Sequence, residues 1–184
     1  MADPRVADVV TAVRLAKSPP GMKVRVIAVD GPGGAGKTTF AERLASELMA
    51  PVIHTDDFAD WDRPIEWGPA LIDEVLRPLT SGTRVRLRPS GWGGPQGDEV
   101  VIEPADYVIL EGVTASRAAF RPYLTYSIWT EAPRELRLRR GLDRDGHEAR
   151  SKWDSWMAEE DRYIGTEHPA DRADLVIPGN AGFA

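Results

Sequence analysis

The residues that most constrain this chain are Gly31-Pro32-Gly33-Gly34-Ala35-Gly36-Lys37-Thr38, a full match to G-x-x-x-x-G-K-[ST]. An apolar run over residues 24–29 precedes them, and a helix-forming stretch from Thr38 to Ala45 follows. A strand, a glycine-rich turn and a helix in that order form a phosphate-binding loop. Its small residues let backbone N–H groups close around an anion, and the helix adds the positive end of its dipole. Gly33, Gly34, Ala35, Gly36, Lys37, Thr38 and Thr39 are therefore expected to hold the phosphates of a nucleoside triphosphate, with Lys37 reaching the β and γ phosphates. The Thr38 hydroxyl is placed to ligate Mg²⁺.

The remaining elements alternate. Residues 51–54, 107–110, 124–129 and 175–177 read as short buried strands, and residues 67–79, 133–144 and 147–164 as helices. The spacing also predicts an N-terminal helix over 3–17, followed by the linker Ser18-Pro19-Pro20-Gly21. Residues 83–88 and 99–102 pattern as a hairpin around a Gly- and Pro-rich loop at 89–98. Short apolar strands separated by helices imply a parallel sheet covered on both faces. The expected architecture is a single α/β domain over residues 1–184, with the three-layer P-loop NTPase fold. A five-stranded parallel sheet lies between helices, and an arginine-rich lid covers about residues 133–150. The chain has 184 residues, 42% hydrophobic and 28% charged, enough for one well-buried domain. Its net charge of −6 argues against general nucleic-acid binding, and it contains no cysteine. The N-terminus lacks the order of a signal peptide, and no apolar run approaches the roughly 20 residues that span a bilayer, so a cytoplasmic protein is expected.

In such a sheet, ligands sit beyond the carboxyl ends of the strands. Three acidic positions fall there. Glu111, followed by Gly112, occupies the place where a carboxylate holds Mg²⁺. Asp56 and Asp57 follow the strand ending at His54, and one of them is suited to deprotonate an acceptor hydroxyl. His54 reads as a strand-end residue. On the helix at 133–144, Arg137, Arg140 and Arg144 fall within about 60° of one another, one face aimed at the charge of a transferring phosphoryl group.

These pieces resemble the uridine kinase family of P-loop kinases. The matching residues are Asp30 to Thr39, Thr55-Asp56-Asp57-Phe58, Val108 to Val113, and Arg137-Leu138-Arg139-Arg140 with Arg144-Asp145. The resemblance implies ATP and Mg²⁺ as cofactors and Asp56 as general base. It also implies Thr38, Glu111 and Asp56 around the metal and Arg137, Arg140 and Arg144 on the phosphates. The family's Tyr-Asp pair after the strand ending at Arg88 is replaced here by Pro89-Ser90-Gly91-Trp92, and Arg140 and Arg144 stand one residue further apart than in the common lid. The acceptor is accordingly open among nucleosides, sugars and related metabolites. Asp57, Trp61, Arg63, Trp67 and Trp92 lie in the segments expected to contact it, whereas Trp153 and Trp156, spaced i, i+3, read as core. A nucleoside monophosphate acceptor would need a second phosphate site, for which Arg63, Arg84, Arg86 or Arg88 are candidates. A nucleotide sensor without phosphotransfer is the alternative from another class. A GTPase lacks support, since no N-K-x-D motif occurs.

Overall fold

The computed structural model describes residues 4–59, 67–89 and 97–179. Trp61, Arg63 and Trp92 lie outside the described residues. Five strands form one parallel sheet in the order β2-β5-β1-β6-β7: β1 (Arg25–Asp30), β2 (Val52–His54), β5 (Tyr107–Glu111), β6 (Tyr126–Glu131) and β7 (Leu175–Pro178). A separate antiparallel pair, β3 (Val85–Leu87) and β4 (Val100–Ile102), makes the expected hairpin.

Alternation along the central strands builds two cores. Val26 and Ala28 of β1, with Val108 and Leu110 of β5, face one side, where they meet Leu71, Val75, Leu79 and Phe120. Ile27, Val29 and Ile109 face the other, against α2 (Lys37–Leu48) and α1 (Pro4–Leu15) through Phe40, Leu44, Val9 and Val13. The three-layer arrangement follows from period-two side chains on a doubly covered sheet.

The helix expected over residues 67–79 is present and ends one residue later, at Thr80. Segments α3 (Gly68–Leu71) and α4 (Arg77–Thr80) are joined without a break by a π turn, Ile72–Leu76. Pro78 has no N–H to give the preceding turn, and the wider π turn relieves the crowding of its ring. Between β6 and β7 lie α5 (Arg134–Asp145), α6 (Arg150–Glu167) and the short α7 (Pro169–Arg172). No described helix is long and apolar enough to cross a membrane.

Candidate active site

Register brings the chemistry to one edge of the sheet. Glu111 at the end of β5 pairs with Val29 of β1 and His54 of β2, so phosphate loop, carboxylate and the Asp56-Asp57 turn start from adjacent strand ends. They border a cleft of about 900 Å³. Gly33, Gly34, Gly36, Lys37, Thr38 and Thr39 line it on one side, His54, Asp56, Asp57 and Glu111 on another, and Arg140 and Arg144 of α5 on a third.

The loop has the form of an anion cradle. Gly34 has φ +74°, and a Cβ there would stand 2.6 Å from the Arg137 carbonyl oxygen, so only glycine fits. No side chain caps the N-terminus of α2, which leaves its dipole end facing the cleft. Lys37 is buried, and its Nζ donates to the Pro32 carbonyl at 3.1 Å, folded back over the loop.

The loop is held from behind by two buried carboxylates to which the sequence analysis assigns no role. Asp30 Oδ1 accepts from the backbone N–H of Gly31 (2.6 Å) and Thr114 (2.9 Å). Its Oδ2 accepts from the Ser116 N–H, the Ser116 hydroxyl and the Tyr163 hydroxyl at 2.7–2.9 Å. Burial and the neighbouring Asp30 push the Tyr163 hydroxyl far up, which keeps it a donor. Glu160 Oε1 accepts from Gly33 N–H at 2.6 Å, and Oε2 from Arg137 Nη1 at 3.0 Å. Burial pushes the Glu160 carboxyl up against the opposing pull of Gly33, Lys37 and Arg137.

The open side is electrostatically different. Glu111 Oε1 accepts from the Thr38 hydroxyl at 3.2 Å, and Oε2 meets His54 Nδ1 at 2.7 Å. Burial opposes the Glu111 charge, but the His54 hydrogen bond, Lys37 and Thr38 outweigh it and hold the carboxyl below its usual range. The same hydrogen bond raises His54, against its partial burial. Asp56 is exposed to the cleft, yet the walls strip much of its hydration, and this loss raises its carboxyl despite Lys37 nearby. Loss of hydration raises Asp57 too. Thr38 and Glu111 suit a Mg²⁺ ion, being a hydroxyl and an ionised carboxylate in contact. Among the described residues no group of three or more His, Asp or Glu forms a closed metal cage, and Mg²⁺ bound with phosphates requires none.

Three side chains depart from their expected places. Arg137 does not face the cleft: it is buried in the ion pair with Glu160. Trp67 is in the core, with ring centroids 6.3 Å from Phe58 and 5.9 Å from Phe120. Trp156 is half-buried on the cleft wall instead of in the core, whereas Trp153 is buried and also reaches that wall. Arg140 Nη1 donates to the carbonyls of Gly34 (3.0 Å) and Gly179 (2.7 Å), tying α5 to the loop.

No protein-family model matches the chain. It is similar to the uridine kinase of Halobacterium salinarum, 26% identical across 84% of this chain and 80% of that one. In fold it is similar to a possible uridine kinase from Bacillus stearothermophilus, with TM-score 0.71 at 20% identity, covering 94% of this chain and 97% of that one. A proposed fructose transport system kinase from a Silicibacter species superposes with TM-score 0.61 at 21% identity, covering 94% and 98%. The chain is thus similar in sequence to a uridine kinase and shares the fold of that possible uridine kinase.

Proposed function

We propose that the protein transfers the γ-phosphoryl group of Mg·ATP to a hydroxyl of a small molecule such as a nucleoside or sugar, with Asp56 as general base. One observation supports this above the rest. A single cleft gathers a phosphate cradle, a Thr38–Glu111 pair fit for Mg²⁺, and carboxylates of raised proton affinity at Asp56 and Asp57. Uridine and fructose in the names of similar proteins fit an acceptor that carries hydroxyls.

In the proposed reaction the acceptor oxygen forms a bond to the γ-phosphorus as the bridge to the β-phosphate breaks, and ADP leaves. The hydroxyl proton passes to Asp56. A carboxyl lifted toward working pH is a better proton acceptor than an ordinary aspartate while staying ionised. Thr38 and Glu111 would hold a Mg²⁺ ion, which would supply positive charge against the charge developing on the transferring group. Lys37 exchanges its Pro32 carbonyl for phosphate oxygens, and Arg144 adds charge from the lid side.

ADP release from Mg·ATP, measured against nucleosides, nucleoside monophosphates, sugars and amino-alcohols, tests the proposal. Stimulation by one hydroxyl-bearing class is expected. ATP binding with no stimulated turnover on any acceptor would favour a sensor.

A further inference from the structure

The lid helix, the phosphate loop and α6 meet on one indole. A methyl group on Gly141 of α5 would run into the Trp153 ring. A Cβ on Gly33 of the loop would lie 3.1 Å from the same ring and 2.9 Å from Glu160 Oε1. Trp153 is thus a slab between lid and loop, and each element keeps a glycine where the slab passes. A glycine inside a helix weakens it; here the indole takes the space.

The polar edge of the slab does something further. Trp153 Nε1 donates to Asp145 Oδ2 at 2.9 Å. Asp145 in turn receives Arg144 through two parallel bonds, Nε to Oδ1 at 2.7 Å and Nη2 to Oδ2 at 2.9 Å. The Arg144 guanidinium lies 5.7 Å from the Trp153 ring centroid. Arg144 and Asp145 are both exposed, and an isolated pair of that kind adds little stability. A bidentate carboxylate with an aromatic face beneath it does fix direction, because the guanidinium is planar and rigid. The fork leaves the guanidinium's other N–H groups for a second anion, and Arg144 borders the same cleft as Lys37 and Asp56.

We propose that Trp153 and Asp145 are positioning residues for Arg144. The indole, wedged between Gly33 and Gly141, steadies Asp145, and Asp145 aims the guanidinium at the terminal phosphate of a triphosphate in the loop. The inference rests on the proposed site for Mg·ATP, but its test needs no acceptor and no turnover. Trp153 carries no charge and touches no phosphate in this account, so its effect must pass through Arg144.

Calorimetric titration with Mg·ATP and with Mg·ADP separates the possibilities. Arg144→Ala is expected to weaken ATP roughly tenfold, the size of a hydrogen bond to a charged group, and ADP less than twofold. Trp153→Phe keeps a ring but loses the N–H, and Asp145→Asn breaks the fork from the other side. Each is expected to reproduce most of the ATP loss and spare ADP. Adding Trp153→Phe to Arg144→Ala should cost nothing more. The proposal is overturned if Trp153→Phe weakens ATP and ADP equally, leaves both unchanged, or adds its full loss to that of Arg144→Ala. It is also overturned if the unaltered protein binds ATP no more tightly than ADP. Failure of phosphotransfer with the ATP preference intact would remove the kinase reading and leave the bracket standing.

Discussion

Behind the phosphate loop, Asp30 and Glu160 are fully buried and each of their oxygens accepts at least one hydrogen bond. In front of it, Asp56 faces the cleft, and its carboxyl is raised chiefly by lost hydration. The rear carboxylates convert burial into geometry. Asp30 joins the start of the loop, the turn after β5 and α6, and Glu160 joins the loop to α5 through Arg137. The front carboxylate is held at an electrostatic disadvantage, which is the state a proton acceptor needs. Changes behind the loop should therefore register first as stability, and changes in front as rate.

The largest effect is expected in front. Asp56→Asn should lower phosphotransfer by about 10²–10⁴-fold, the range for losing a general base, measured as ADP release at saturating ATP. Behind the loop, Arg137→Ala leaves Glu160 buried without its cation and should cost about 3–5 kcal/mol. For a chain of this length that lowers Tm by roughly 10 °C, readable by circular dichroism. Asp30→Asn is milder, because the Ser116 and Tyr163 hydroxyls can turn while a backbone N–H cannot. About 1–3 kcal/mol is expected from one donor left facing the new amide.

The smallest effects concern pH. As the proposed proton acceptor Asp56 would have to be ionised, so the acid limb of kcat/KM should fall above the ordinary aspartate value of about 4, and a limb at or below that value would contradict the proposal. The folded state also holds the Asp56 proton more tightly than the unfolded chain does. Its contribution therefore favours the fold at low pH and is lost as pH rises through the raised value. Asparagine carries no such charge, so Asp56→Asn should raise Tm slightly at neutral pH without nucleotide.

Much of the front was legible in the sequence, because phosphate-loop chemistry is local. Eight consecutive residues specify the cradle, and strand ends announce Glu111, Asp56 and Asp57. The rear was not, because its partners are distant in the chain. Asp30 meets Tyr163 across 133 positions, and Gly33 meets Glu160 across 127. Neither pairing leaves a local pattern. Arg137 shows how helical periodicity misleads. It shares a face with Arg140 and Arg144, but seven residues span about 10 Å of helix. The near end of that face packs on α6 and the far end opens on the cleft. Trp153 and Trp156 differ for the related reason that one turn of α6 lies at the margin between core and cleft. The helix at 67–79 was legible from its pattern, whereas the π turn that accommodates Pro78 within it was not.

Asp56→Asn, assayed in parallel for turnover and for Tm without ligand, tests the division between front and rear most directly. The expected result is phosphotransfer down at least a hundredfold with Tm unchanged or higher. A fall in both would place Asp56 among the supports of the fold and contradict its assignment as the proton acceptor.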